Sequence, residues 1–331
     1  MNDTTFQNRV FGCAIVKSIN ANYNADFTHQ PRMLPDGVAY ATDKALKYLI
    51  KHYLRQTSNT AIFYFKRLDH EMDPLDLAAT YKEVFNKDVK DESKQAILKN
   101  LLSCLDVRMF GATFAPKGKD IEKKNISIHG PVQICHGVNR FPDSVIFSEQ
   151  IMSPFANQKD PKKKEAGSEG DEEATKAGMT TLGSQSKLRE GHYVHHFSVN
   201  PKNLDLHRDV KEAGGQTLTI DDISKLKEAL SRGATNYDSA AKAGIENELL
   251  LWVQLNTGDH SKMVLPNFTP LIDVPKEKTA DGKTRILLNK VVALLNRDEI
   301  KSAIEKVELF FNPETTSVEG ADDWVKNSKG L

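Results

Sequence analysis

Between Ala156 and His192 the chain carries no Phe, Tyr or Trp, and the middle of that stretch reads DPKKKEAGSEGDEEATKAG. So much charge, Gly and small residue cannot bury enough apolar surface to offset the entropy of ordering, so residues 157–180 are predicted to be a disordered loop tip. Strand-like apolar runs stand on both sides of this stretch. They favour one sheet interrupted by an inserted hairpin over two independent domains.

Upstream, Val10 to Ile19 (VFGCAIVKSI) has the apolar, β-branched character of a buried strand. A polar loop rich in Asn and Asp follows, from Asn20 to Gly37. A helix is predicted from about Thr42 to Arg55, capped by Thr42 or Asp43, with Leu46, Leu49, Ile50 and Tyr53 as its apolar stripe. Ala61 to Lys66 reads as a second strand, and Leu75 to Phe85 and Glu92 to Leu105 as helices. Val107 to Phe114 and Ile126 to His136 read as strands.

Past the charged stretch, Gly191 to Val199 and Leu249 to Leu255 are strands by composition. Between them Thr219 and Asp222 form a capping-box pattern for a helix through Leu230, with Gly233 at its end. Arg285 to Leu288 is a shorter strand, and a helix from Glu299 to Lys306 hands over to a strand from Val307 to Phe311. The mixture is α+β without regular βαβ alternation, and no internal repeat is evident.

Charge limits the partners. Lys and Arg number 45 and Asp and Glu number 45 in 331 residues, so any polyanion site must come from local segregation of charge. Cys13, Cys104 and Cys135 are far apart in apolar segments, without metal-site spacing, and are expected to be buried free thiols in a reducing compartment. The start, MNDTTFQNRV, does not resemble a signal peptide, and no apolar run reaches the ~20 residues that span a bilayer. The expected location is cytoplasmic, without a membrane partner.

Three clusters hold candidate chemistry. Lys44, Lys47, Lys51 and Arg55 recur three or four apart, making a basic ridge on the first helix. Such a ridge is ordinarily a solvated face, but the loop before it carries Asn20, Asn22, Asn24 and Arg32, donors suited to phosphate and sugar. In GHYVHHF, Tyr193, His195 and Phe197 share one strand face, and His192, Val194 and His196 the other. These rings are either base-stacking platforms or ordinary core, and no carboxylate or cysteine stands at ligand spacing to make a metal site. Asp106 and Arg108 are two apart at a strand start, which suits a structural ion pair. No Walker A run, GxSxG or HExxH is present, and no cofactor is expected. Asp26 is either a turn residue or a general base for metal-independent RNA cleavage.

Asp106-Val107-Arg108-Met109-Phe110-Gly111, followed by Gly130-Pro131-Val132-Gln133, resembles the paired motif of the Cas-seven backbone subunits of type I CRISPR Cascade complexes, in the I-B/I-C branch. Asn20 to Arg32 resembles that family's Asn-rich loop ending in Pro-Arg, and Thr42-Asp43, Leu46-Lys47 and Ile50-Lys51 its first helix. Thr181-Leu182-Gly183, Gly191 to Ser198 and Ser239-Ala240-Ala241 fall in family order too, so the likeness spans roughly residues 8 to 260. Where the family loop often reads Asn-Gly-Asp-Pro, this chain has Asn24-Ala25-Asp26-Phe27.

The resemblance implies an RRM-like (ferredoxin-like) palm from residues 1–143 and 190–331, fingers inserted near 67–105 and 115–125, and a thumb hairpin at 144–189. It implies a non-catalytic subunit that stacks with further copies of itself along CRISPR RNA, beside other Cascade subunits, and leaves bases free to pair with target DNA. Arg32, Lys47 and Lys51 would then contact phosphate, and Asn20, Asn22, Gln133 and His136 sugar or backbone. Tyr193 and His195 would line the base of the thumb and Leu182 would wedge at a flipped nucleotide, with Arg108 and His192 in the same RNA-contacting set. The alternative is a target-RNA endonuclease using Asp26, as in related type III subunits. A scaffold that never touches nucleic acid is a third reading, suggested by the neutral charge alone.

Overall fold

The computed structural model describes residues 5–118, 121–156, 179–205, 212, 214–258 and 262–331. The first half runs β1 (Val10–Ala21), β2 (Tyr40–Ala41), α1 (Asp43–Thr57), α2 (Leu77–Phe85), α3 (Lys94–Leu102), α4 (Leu105–Phe110), β3 (Gly111–Phe114), β4 (Ile126–His129), β5 (Val132–Ile134), β6 (Gly137–Asn139) and β7 (Ile146–Ala156). The second half runs β8 (Met179–Val199), α5 (Lys202–Asp205), α6 (Ile220–Arg232), β9 (Ile245–Leu255), β10 (Thr284–Leu287), α7 (Asn289–Leu295), α8 (Asp298–Lys301), β11 (Ile304–Phe311), β12 (Thr316–Glu319) and α9 (Asp322–Lys326).

One antiparallel sheet takes strands from both sides of the charged stretch, in the order β11-β9-β1-β8-β6-β2, with β5 and β7 also paired to β8. β1 lies inside it, and its run from Val10 to Val16 is apolar because both of its faces are covered there. Val10, Ala14 and Val16 point into one core; Phe11, Cys13 and Ile15 point into the other. β9 divides likewise, with Leu250 and Trp252 on the first side and Leu249, Leu251 and Val253 on the second.

The first core is roofed by α1 and α6, whose buried stripes are Leu46, Leu49, Ile50 and Leu54, and Ile223, Leu226 and Leu230. Each such side chain, once buried, stabilises the fold by roughly 1.5–3 kcal/mol. The second core is closed by Phe268, Ile272, Ile286, Leu288, Val291 and Leu295. A third lies beside the sheet, where Phe63, Tyr81, Ile97, Leu101, Phe114 and Ile128 join α2, α3 and the β3–β4 pair. β8 is long enough to serve two partners. Its first half pairs with β7 from Ile146↔Leu188 outward, and its second half with β1 down to Val10↔Val199. Of the loop tip predicted at 157–180, residues 157–178 lie outside the described residues, while Met179 and Thr180 belong to β8.

Thr42 caps α1 by accepting from the Ala45 N–H, and Thr219 and Asp222 form a complete capping box on α6. Four predicted elements differ from what forms, the first being Ile126–His136, which divides at Gly130 and Pro131 into β4 and β5. Ala61–Lys66 bends at Tyr64 and Phe65 and joins no strand: the Phe63 and Tyr64 N–H groups donate to the Asp106 carboxylate, each at 2.8 Å. Its carbonyls are taken as well, those of Ile62 and Phe63 by Arg67 (each 2.8 Å) and that of Tyr64 by Lys51 (2.7 Å). With these polar groups held by side chains, and the Ala61 carbonyl by the Leu105 N–H, the segment offers no free edge to a sheet. Residues 105–110 form α4 rather than a strand, ending at Gly111 with φ 82°. The chain from Asp298 makes only a one-turn helix before β11 begins at Ile304.

Candidate nucleic-acid interface

The loop that leaves β1 is fixed at each end. Asn20 turns the chain with φ 49°, a conformation Asn tolerates, and is exposed. Asn22 is buried; its Nδ2 donates to the His29 carbonyl at 3.2 Å and to the Ser186 carbonyl of β8 at 3.0 Å. Lys242 donates to the carbonyls of Asn22 (3.3 Å) and Tyr23 (2.9 Å). Asn24 Oδ1 accepts from both the N–H and the hydroxyl of Thr42, joining the loop to the first turn of α1. Asn22 and Asn24 therefore shape the loop, and Lys242, which nothing in the sequence singles out, holds it.

Cations gather where the loop meets α1. Lys47 Nζ lies 3.0 Å from Asp43 Oδ2 and 5.4 Å from the centre of the Phe110 ring. Partial burial opposes the charge on Asp43, but Lys47 outweighs it and holds the carboxyl below its usual range. His136, on the turn between β5 and β6, accepts the Asp43 N–H at Nδ1 (3.3 Å), with its ring 5.5 Å from that of Tyr40. Tyr40 donates its N–H to the Arg32 carbonyl at 2.9 Å, which ties the Arg32 backbone to the same loop. The Arg32 Nε donates to the Ala25 carbonyl at 3.1 Å, and its Nη groups have no partner among the described residues. Lys44 and Gln133 are exposed nearby in the chain's path, Gln133 donating to the Gly130 carbonyl at 2.8 Å.

Other predicted contacts are turned inward. Lys51 is half-buried and gives one donor to the Tyr64 carbonyl, and burial lowers its pKa. Arg108 is buried in a two-pronged pair with Asp222, Nε to Oδ2 at 3.0 Å and Nη2 to Oδ1 at 2.8 Å. It does not pair with Asp106 because α4 is helical, which sends residues two apart to different sides.

Tyr193, His192 and His195 are each at most 2% exposed, so none has a ring face open to a base. Tyr193 packs at 5.0 Å against Tyr23. His195 is held near pKa 4 by burial, so it is neutral at pH 7: its Nδ1 donates to the Cys135 carbonyl (3.0 Å) and its Nε2 accepts from the Tyr23 hydroxyl (3.1 Å). β8 lies inside a sheet covered on both faces, and that burial is the physical reason. Leu182 is on β8, but its side chain lies outside the described residues. Cys135, expected to be buried, is exposed on the β5–β6 turn.

Asp26 is a turn residue by geometry. Its Oδ1 accepts from the Thr28 N–H (2.8 Å), the Thr28 hydroxyl (2.7 Å) and the Gln30 N–H (3.0 Å). Those bonds, the Thr28 hydroxyl first, hold its carboxyl below the usual range, which makes it a weaker base.

Fold and surface together define an antiparallel α+β protein whose central strand leads into a braced loop and a helix edged with cations. Within that class, the sequence model described as "CRISPR-associated protein Cas7" matches residues 8–292. The chain belongs to this family. Among solved structures, a chain described as "CRISPR RNA-guided surveillance complex" is similar with TM-score 0.47 and 13% identity, over 93% of this chain and 91% of that one. A second, "CRISPR RNA-guided surveillance complex, pre-nicking", has TM-score 0.47 and 12% identity over 98% and 96%. No curated protein matches the chain. No helix among the described residues is long and apolar enough to cross a membrane.

Proposed function

We propose that this protein is a non-catalytic backbone subunit of a type I (I-B/I-C-like) CRISPR Cascade interference complex. Copies of it line up along the CRISPR RNA, alongside other Cascade subunits in the cytoplasm, and present the guide for pairing with target DNA. The observation that carries the reading is that Lys47 and His136 flank Asp43 at the start of α1, beside the braced loop that carries Arg32, in a chain that matches this family over residues 8–292. Arg32, Lys47 and His136, with exposed Asn20, Lys44 and Gln133, offer cationic and amide donors to a ribose-phosphate strand, and Lys51 adds charge from beneath. A guide subunit needs to hold backbone and shape only, so a narrow cluster on a neutral protein suffices.

The strand order β9-β1-β8-β6, with α1 and α6 on one face, supports an RRM-like palm whose other face is closed by residues 262–331. In this reading the β7–β8 arm is the thumb, and the third core, with the segments at 67–105 and 115–125, is the finger region. In this reading Leu182, on β8, is assigned the wedge at the flipped nucleotide.

The test is binding of the full chain to single-stranded RNA across a salt series. The expected result is steep salt dependence with little sequence preference, and a slope of log K against log salt lowered by about 0.7 for Arg32→Ala or Lys47→Ala. Salt-independent binding, or both variants matching the parent, would refute the proposed contact surface.

A further inference from the structure

The loop after β1 holds one side chain far out of the fold. Phe27 is 98% exposed, yet its neighbours on the chain are pinned. Asp26 Oδ1 accepts three bonds, the Asp26 N–H donates to the Gln30 carbonyl at 2.8 Å, and Ala25 bridges Pro31 across the loop. A ring so presented forgoes all burial, while the loop beneath it has one shape.

Turn chemistry does not ask for the ring. The chain builds the same turn again at residues 68–74. There Asp69 Oδ1 accepts from the Glu71 and Asp73 N–H groups, each at 2.9 Å, and the Asp69 N–H donates to the Asp73 carbonyl at 2.9 Å. Leu68 bridges Pro74 as Ala25 bridges Pro31, and Met72 sits at φ 68° where His29 sits at 64°. The place of Phe27 is filled there by His70, a polar residue. The aromatic hydrocarbon at position 27 is thus free of any folding requirement.

Resting on the reading above, we infer that Phe27 is a stacking platform for a base of the single-stranded nucleic acid gripped at the start of α1. Single-strand binders pair cationic donors with exposed ring faces, since every base has a π-face and the contact tolerates any sequence. The loop that carries Phe27 also carries Arg32, with unpartnered Nη groups, and is tied to α1 through Asn24 and Thr42. A protein hot spot is the other use of an exposed ring, but such a ring belongs in an apolar surround. The residues flanking Phe27 along the chain, Asp26, Thr28, His29 and Gln30, are polar, and Met33 is the other large apolar side chain of this loop that is exposed.

The experiment compares the full chain with Phe27→Ala and Phe27→Trp, using oligoadenylate RNA in which one base is 2-aminopurine. Phe27→Ala should weaken binding at least about fivefold and restore 2-aminopurine fluorescence. Its salt slope and thermal midpoint should stay at parental values, because the residue is uncharged and exposed. Phe27→Trp should bind as tightly as the parent or tighter. Parental binding by Phe27→Ala would overturn the inference and leave the Arg32–Lys47 grip intact. So would lost self-association with unchanged RNA affinity, which would make the ring a protein contact. Failure of the parent protein itself to bind RNA would sink the proposed function, and this inference with it.

Discussion

Arg108 and Asp222, 114 residues apart, form a buried two-pronged ion pair in which both side chains are nearly sealed from water, at 6% and 2% exposure. The pair ties three elements together. Arg108 stands on α4 and its Nη1 also donates to the Leu102 and Ser103 carbonyls at the end of α3, at 3.0 and 2.8 Å. Asp222 belongs to the capping box of α6, accepting the Thr219 N–H at 3.1 Å. Removing one partner strands the other charge in the interior. Arg108→Ala is expected to destabilise the protein by about 3–5 kcal/mol in urea denaturation, and Arg108→Lys to recover little, because an ammonium cannot fork. The folded fraction should keep the parental salt slope for RNA. A lowered slope would return Arg108 to the binding surface.

Gly111 and Gly130 close the same region by direct backbone contact. A Cβ on Gly130 would collide with the Gly111 nitrogen and the Phe110 carbonyl carbon. The two halves of the sequence motif, DVRMFG and GPVQ, therefore meet where only glycine fits. Gly130→Ala should lower stability by roughly 3 kcal/mol or more, read as a shifted urea midpoint. A shift below about 0.5 kcal/mol would mean that the contact is not tight.

Asp43 competes for Lys47 with any incoming phosphate. Asp43→Asn removes a carboxylate 3.0 Å from the ammonium and is expected to tighten RNA binding about two- to fivefold at moderate salt. The same change weakens the first turn of α1, by about 0.3–1 kcal/mol through the helix dipole. Equal or weaker affinity in a titration would show that Lys47 does not reach the strand.

His192 should give the fold an alkaline limit. Its Nδ1 lies 2.6 Å from Glu248 and its Nε2 3.5 Å from Glu190, which also pairs with Lys278 at 3.2 Å. Burial opposes the imidazolium, but Glu248 and then Glu190 outweigh it and raise the pKa from 6.5 to about 9. The raised value means that its stabilisation is complete below pH 6.5 and fades as pH rises to about 9. Glu190 is shifted the other way, chiefly by the neighbouring His192 against burial, from 4.5 to about 2, so its share fades as pH falls through that window. Urea midpoints measured from pH 6 to about 10 should decline, and His192→Gln should flatten the decline. An unchanged slope in that variant would assign the alkaline loss to another group.

The elements that the sequence made legible are those with a local signature. β1, α1, α6, β9 and the C-terminal half of β8 follow from apolar period and from caps such as Thr42 and Thr219, which act within a few residues. Ala61–Lys66 misled because its composition is that of a strand, whereas its hydrogen bonds come from Asp106, Arg67 and Lys51. At the candidate site, Lys47 and His136 both meet Asp43, while the Arg32 guanidinium reaches back to the Ala25 carbonyl, and Phe27 drew notice only as a departure from a family pattern.

Local pattern thus determined where the chain is apolar and which stretches wind or extend, because periodicity and capping are properties of neighbours. The direction of each polar side chain was decided by the tertiary fold. Tyr193 and His195 went inward because both faces of β8 are covered, Arg108 because its partner arrives on α6, and Lys51 because the Tyr64 carbonyl stands above it. The desolvation of a charge depends on partners that only folding brings within reach, and residue type does not encode them.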